Sequence, residues 1–209
     1  MTPTERSKDL IVLAADNSMG VAIAEVLERY DSLGIRRIFY TVIQHSTYDS
    51  GVLQTGHRLL AAQSRNYQHA LAICDHHGCG KETLSREKVE AVIEKQLSNH
   101  WGGRAAAIVI NPELENWVWS DSPHVAYAIE WKGGMASLRT WLQNEGLILE
   151  GQAKPKDPKT ALEKALWRTR KPKSAAIFQA IASKVSLSHC TDPAFLKLGA
   201  TLRSWFPAA

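Results

Sequence analysis

"HALAICDHHGCG", residues 69–80, is an apolar run of one strand's length that breaks on a carboxylate and passes into a glycine-rich polar loop. A short run that is apolar throughout, with no alternation, marks a strand buried on both faces, as happens when helices cross between parallel strands. The design repeats to either side. Upstream, "DLIVLAA" (9–15) precedes "GVAIAEVLERYDSLG", whose Val21, Ala24, Val26, Leu27 and Tyr30 carry helical spacing up to Gly34, and then comes the β-branched and aromatic "IRRIFYTVI" (35–43). After the turn-like "HSTYDSG", Leu53, Leu59 and Leu60 predict a helix within 52–66. Downstream, Val89, Ile93 and Leu97 recur every four residues in "SREKVEAVIEKQLSNH", and "AAAIVIN" (105–111) returns as a strand.

The expected fold class is therefore α/β, a parallel sheet of about four strands flanked by helices. Beyond Pro112 only helices are expected, at 112–120, 134–144, 158–169, 173–184 and 192–205, the last opened by "DPAF". This divides the chain into an α/β core over 1–125 and a helical C-terminal extension over 126–209 packed on it.

No apolar stretch approaches the roughly 20 residues that span a bilayer, and the start "MTPTERSKD" lacks the apolar centre of a signal peptide, so a cytoplasmic location without a membrane partner is expected. The three cysteines make no disulfide framework. Net charge is +4, concentrated between Lys154 and Lys173, where eight cations face Asp157 and Glu163. Such a stretch is either the solvated face of a helix or a surface that gains from counterion release on a phosphate backbone. On the second reading Lys154, Lys156, Lys159, Arg168, Arg170, Lys171 and Lys173 bind nucleic acid.

Ligands of an open parallel sheet collect beyond the carboxyl ends of its strands. Those ends read Asp16-Asn17, Gln44-His45, Asp75-His76-His77 and Asn111-Pro112-Glu113-Leu114-Glu115. Carboxylates at three of four ends repel one another unless a cation, a basic partner or a proton intervenes. Asp75, Glu113 and Asp16, with Glu115 beside them, are candidate ligands of Mg²⁺ or Mn²⁺. In an extended backbone Asp75 and His77 share a side, which makes His77 a further ligand or a general base. The bland reading of Glu113 and Glu115 is that they are acids at a helix start. Zinc on Cys74, His76, His77 and Cys79, and a Cys79 thiol activated by His77, are alternatives. Trp117 and Trp119 cannot both face the core from neighbouring helical positions, so one is expected in a pocket wall.

Four segments in this order, "AADNS", "LAICDHHGCG", "ELENW" with a following Asp, and "RKPKS…FQAIASKVSLSHCTDPAF", resemble the TOPRIM-like family related to RloB and to the nuclease domain of OLD proteins. Within that family the chain resembles a component of methylation-associated bacterial anti-phage defence clusters. The resemblance implies a TOPRIM-type parallel sheet and an acidic site at which Mg²⁺ assists phosphodiester cleavage. Carried over, the first-strand acid is Asp16, the paired acids of the third strand are Asp75 and His77, and the later glutamate is Glu113 with Glu115 beside it. The chain departs from the pattern in having Asp at the first position and His77 for the second acid of the pair, and imidazole suits Mn²⁺ or Zn²⁺ better than Mg²⁺. The expected function is a metal-dependent nuclease of anti-phage defence with Asp75, His77 and Glu113 catalytic. The alternative is a non-catalytic subunit that docks nucleic acid or another defence protein.

Overall fold

The computed structural model describes residues 8–208, so residues 1–7, on which part of the leader reading rests, lie outside the described residues. Four strands, β1 (Lys8–Ala14), β2 (Tyr40–Gln44), β3 (Tyr67–Asp75) and β4 (Ala105–Ile110), form one parallel sheet in the order β2-β1-β3-β4. The strands are joined by α1 (Asn17–Glu28) with the short α2 (Tyr30–Leu33), by α3 (Tyr48–Ala61) and by α4 (Arg86–Trp101). The apolar runs lie where their composition demands: from Leu10 to Ala14 and from Ala70 to Cys74 every side chain is buried. Helices cover both faces. An added Cβ on Gly20 of α1 would meet Ala14 and Val42, and one on Gly56 of α3 would meet Leu13, the next residue to Ala14 and therefore on the opposite face.

The strand expected over 35–43 is shorter. It starts at Tyr40, paired with Leu10, because the residues before it take other partners: Phe39 O accepts from Asp9 N and Leu10 N, and Arg36 N donates to Phe206 O. Asp9 instead fastens the preceding extended segment, accepting from Phe39 N at 2.8 Å and from Arg36 Nη2 at 2.6 Å, and Ile35 bridges to Pro207. Burial opposes ionisation of Asp9, but the Arg36 guanidinium and the Phe39 N–H together outweigh it and hold the carboxyl below its ordinary value.

After β4 the chain is helical, as expected, in α5 (Glu115–Val118), α6 (Pro123–Ala128), α7 (Gly134–Asn144), α8 (Pro158–Thr169), α9 (Ala175–Ala182) and α10 (Pro193–Trp205). The helix expected over 112–120 is reduced to the single turn α5. Trp119 leaves helical geometry with ψ 96°, and Ser122 starts a new helix by accepting from His124 N, with Pro123 in the first turn. Helix α9 packs on α1 and α10 on β4, so the C-terminal helices share the core of the sheet. Asp192 opens α10, accepting from Ala194 N and Phe195 N, and also accepts from Trp117 Nε1 at 2.9 Å and Asn116 Nδ2 at 2.7 Å. That carboxylate ties α5 to α10.

As an edge strand β4 should present unpaired N–H groups. They are taken up by α4: Val109 N donates to Glu90 Oε1 at 2.9 Å and Ala107 N to Glu94 Oε1 at 3.1 Å. Lys197 of α10 donates to Glu90 Oε2 and Glu94 Oε1, and Arg86 donates to Glu90 Oε1. Two carboxylates and two cations thus seal this edge. Among the described residues no helix is long and apolar enough to cross a membrane.

Candidate metal centre

The chain leaves β1 towards β2 and leaves β3 towards β4, so the switch point of the sheet lies between the neighbouring carboxyl ends of β1 and β3. Asp16 and Asp75 stand there. Asp16 caps α1, its Oδ1 accepting from Met19 N at 2.8 Å, while it also lines the crevice. Asp75 ends β3, and beyond it the parallel ladder continues into the loops: His76 N donates to Ile110 O at 2.7 Å and His77 N to Pro112 O at 2.9 Å. These two bonds carry the segment after β4 alongside the segment after β3, and Glu113 and Glu115 arrive beside Asp75.

One oxygen each from Asp75, Glu113 and Glu115 lie within 4.8 Å of one another, and this is the only such group of three potential metal ligands among the described residues. Glu113 and Glu115 are buried. Asp75 Oδ1 is buried without any hydrogen-bond partner. Burial, then the charges of Asp49, Glu115, Asp16 and Glu113, drive the Asp75 carboxyl well above its ordinary value. Asp49, in the first turn of α3, accepts from Asp75 N at 2.7 Å and is raised as well, chiefly by burial. The crevice is lined by five carboxylates, Asp16, Asp49, Asp75, Glu113 and Glu115, against two lysines. With all of them ionised, three negative charges remain unbalanced.

The two lysines come from the stretch assigned to nucleic acid. Lys159 donates to Glu113 Oε2 at 3.2 Å and Lys173 to Glu115 Oε1 at 2.5 Å. Burial works against the Lys159 ammonium, but Glu113 and Glu115 hold its pKa above the ordinary value. The basic stretch is therefore not one surface. Lys154 donates to Asn116 O, Lys171 to Glu130, and Arg168 lies over the Trp131 and Trp141 rings. Lys156 and Arg170 are exposed with no ion-pair partner among the described residues. A run of like charge in sequence says nothing of direction, and here half of it turns inwards.

His77 does stand on the Asp75 side, its imidazole largely exposed at the rim with Nδ1 4.0 Å from Glu113 Oε2. The zinc alternative fails on geometry. Cys74 and Cys79 are both fully buried, and His76 Nε2 is engaged with Leu84 O at 2.8 Å. Burial also pushes the Cys79 thiol up, the opposite of activation. His45, at the end of β2, bends away from the rim to Thr55, in space that an added Cβ on Gly51 would occupy. Trp117 and Trp119 both line a cavity beside the crevice, Trp119 being buried with Nε1 donating to Pro158 O.

Asp49 is the site residue that sequence reading misses, because "HSTYDSG" reads as a turn. The usable signal was its position: an acid five residues past the end of β2 falls in the first turn of the next helix, on the same rim. Comparisons with protein-family models, with curated proteins and with solved structures find no match.

Proposed function

We propose that this chain is a divalent-metal-dependent hydrolase of nucleic-acid phosphodiesters, TOPRIM-like in kind and serving bacterial anti-phage defence. The observation that carries the reading is the convergence of Asp75, Glu113 and Glu115 to within 4.8 Å, together with a buried Asp75 oxygen that has no protein partner. Burying an ionised group without a partner is costly, and oxygen ligands in this number suit Mg²⁺ or Mn²⁺. Asp75, Glu113 and Glu115 would hold the ion, with Asp16 and Asp49 at its margin. Such an ion, when bound, supplies Lewis-acid polarisation of a phosphate and acidifies water.

The remaining steps belong to the chain. His77, exposed on the rim 4.0 Å from Glu113, serves as the general base that takes the proton of the attacking water. Lys159 and Lys173, with long stems and half-exposed ends, exchange their glutamate partners for phosphate oxygens as substrate arrives. Lys156, Arg168 and Arg170 hold the backbone further out without choosing sequence.

One observation favours the second reading, a non-catalytic subunit that docks nucleic acid or another defence protein: both glutamates already carry a lysine. The two separate on Mn²⁺-dependent cleavage of labelled DNA and RNA. The hydrolase reading expects activity in the native chain and a fall of about 10–100-fold or more in Asp75→Asn and Glu113→Gln. Unchanged cleavage in both variants would falsify the site. Nucleic-acid binding with no cleavage under Mg²⁺ or Mn²⁺ would leave the docking reading.

A further inference from the structure

Two wall residues of the acidic crevice, Leu114 and Phe178, also line a neighbouring cavity of about 550 Å³. Small-molecule sites occupy about 300–1,000 Å³ and are mostly apolar, with a few placed polar groups. This cavity has that character. Its wall includes the half-buried Trp117, backed by the buried Trp119, Phe178 and Phe195. Both indole N–H groups are engaged elsewhere, with Asp192 and with Pro158 O, so the two rings contribute carbon surface.

Polar side chains punctuate the wall, Ser120, Ser122, Lys154, His189 and Thr191 among them, and one buried hydroxyl is unsatisfied. Ser120 Oγ, in the wall, is buried with no hydrogen-bond partner among the described residues. A hydroxyl in that position calls for an acceptor or donor from a ligand. Lys154, also in the wall, donates to Asn116 O at 2.7 Å and retains further N–H capacity.

We propose that this cavity takes the nucleobase of a nucleotide whose phosphate lies on the acidic rim. The position of the phosphate rests on the hydrolase reading; the fit of the base rests on the cavity. A base is planar, stacks on an aromatic side chain such as Trp117 whatever its identity, and carries heteroatoms on its edge for the polar groups of the wall. Hydroxyls, able to donate or accept, select weakly among the four bases. Bases inside a duplex are stacked and paired, so an occupant of this cavity comes from a single strand or has been extruded from a helix. The substrate class is therefore single-stranded nucleic acid.

The test uses the full chain without metal and titrates adenosine and thymidine, which have no phosphate for the rim to hold, by isothermal calorimetry. Saturable binding of both is expected. Two substitutions that fill the cavity from the α9 side, Ala182→Phe and the half-buried Val185→Trp, are expected to weaken it about tenfold or more, with circular dichroism reporting that each is folded. No saturable heat with either nucleoside overturns the proposal. So does unaltered affinity in whichever filled variant folds, or decanoate binding in their place, which would mark an acyl site. Melting with and without Mn²⁺ is read separately. Nucleoside binding without Mn²⁺ stabilisation supports the cavity and removes the hydrolase; Mn²⁺ stabilisation without nucleoside binding removes the cavity alone.

Discussion

Two groups of buried and half-buried carboxylates belong to the same sheet, and they are built differently. At the β4 edge, Glu90 and Glu94 have backbone N–H groups and two cations on them, two charges against two. At the carboxyl ends of the strands, five acids meet two lysines and one buried oxygen has no partner. Burial alone thus says little about purpose. A carboxylate whose oxygens are all matched fastens one element to another, whereas one left unmatched among like charges holds the fold in a costly state that a ligand can relieve. Acids spent on structure should cost stability when removed; acids kept for a ligand should cost function and return stability.

The largest expected effect is at the edge. Glu90→Ala leaves Val109 N without its acceptor, reduces Arg86 to Glu87 and Lys197 to Glu94, and should lower unfolding free energy by about 3 kcal/mol in urea denaturation, equally with and without Mn²⁺. A loss of under about 1 kcal/mol would erase the distinction between the two groups. Next comes metal linkage. Mn²⁺ at about one hundred times its dissociation constant should stabilise the native chain by about 2.7 kcal/mol, and Glu113→Gln should show little of that gain in thermal melts.

Smaller and opposite in sign, Asp75→Asn should raise stability in the absence of metal by about 1 kcal/mol above neutral pH. The carboxyl of Asp75 is raised in the folded state, so its ionisation burdens the native chain at high pH. The burden lifts as pH falls through the folded pKa, and below an unfolded value of about 3.9 the variant's advantage should be gone. An advantage independent of pH would mean that shape, not charge, sets the cost. The smallest effect is expected from Lys159→Ala, which changes metal-free stability by under about 1 kcal/mol. It should also tighten Mn²⁺ binding several-fold in calorimetric titration, since the lysine competes for Glu113.

Much of the fold was legible because the apolar runs at 9–15, 69–75 and 105–111 admit one reading, a strand covered on both faces. The start of β2 was not, since "IRRIF" has strand composition and nothing in it reveals that Ile35 and Arg36 bond to the C-terminal segment. Asp16, Asp75, Glu113 and Glu115 could be read from the ends of strands. Asp49 could not, because its place depends on where α3 begins. Glu90 and Glu94 were hidden for a related reason: on an amphipathic helix they count as polar-face residues, and a partner more than a hundred positions away, Lys197, is what turns them inwards. Direction defeats sequence reading again for the lysines at 159 and 173, whose charge was plain but whose target was not.

The seal on β4 also limits how copies of this sheet can add to one another. With its outward donors consumed, that margin cannot template a fresh strand, and β2, half-exposed and paired only to β1, is the sole margin left for strand addition. Growth by that route halts after a single joining event, because two molecules meeting β2 to β2 present nothing but closed ends to a third.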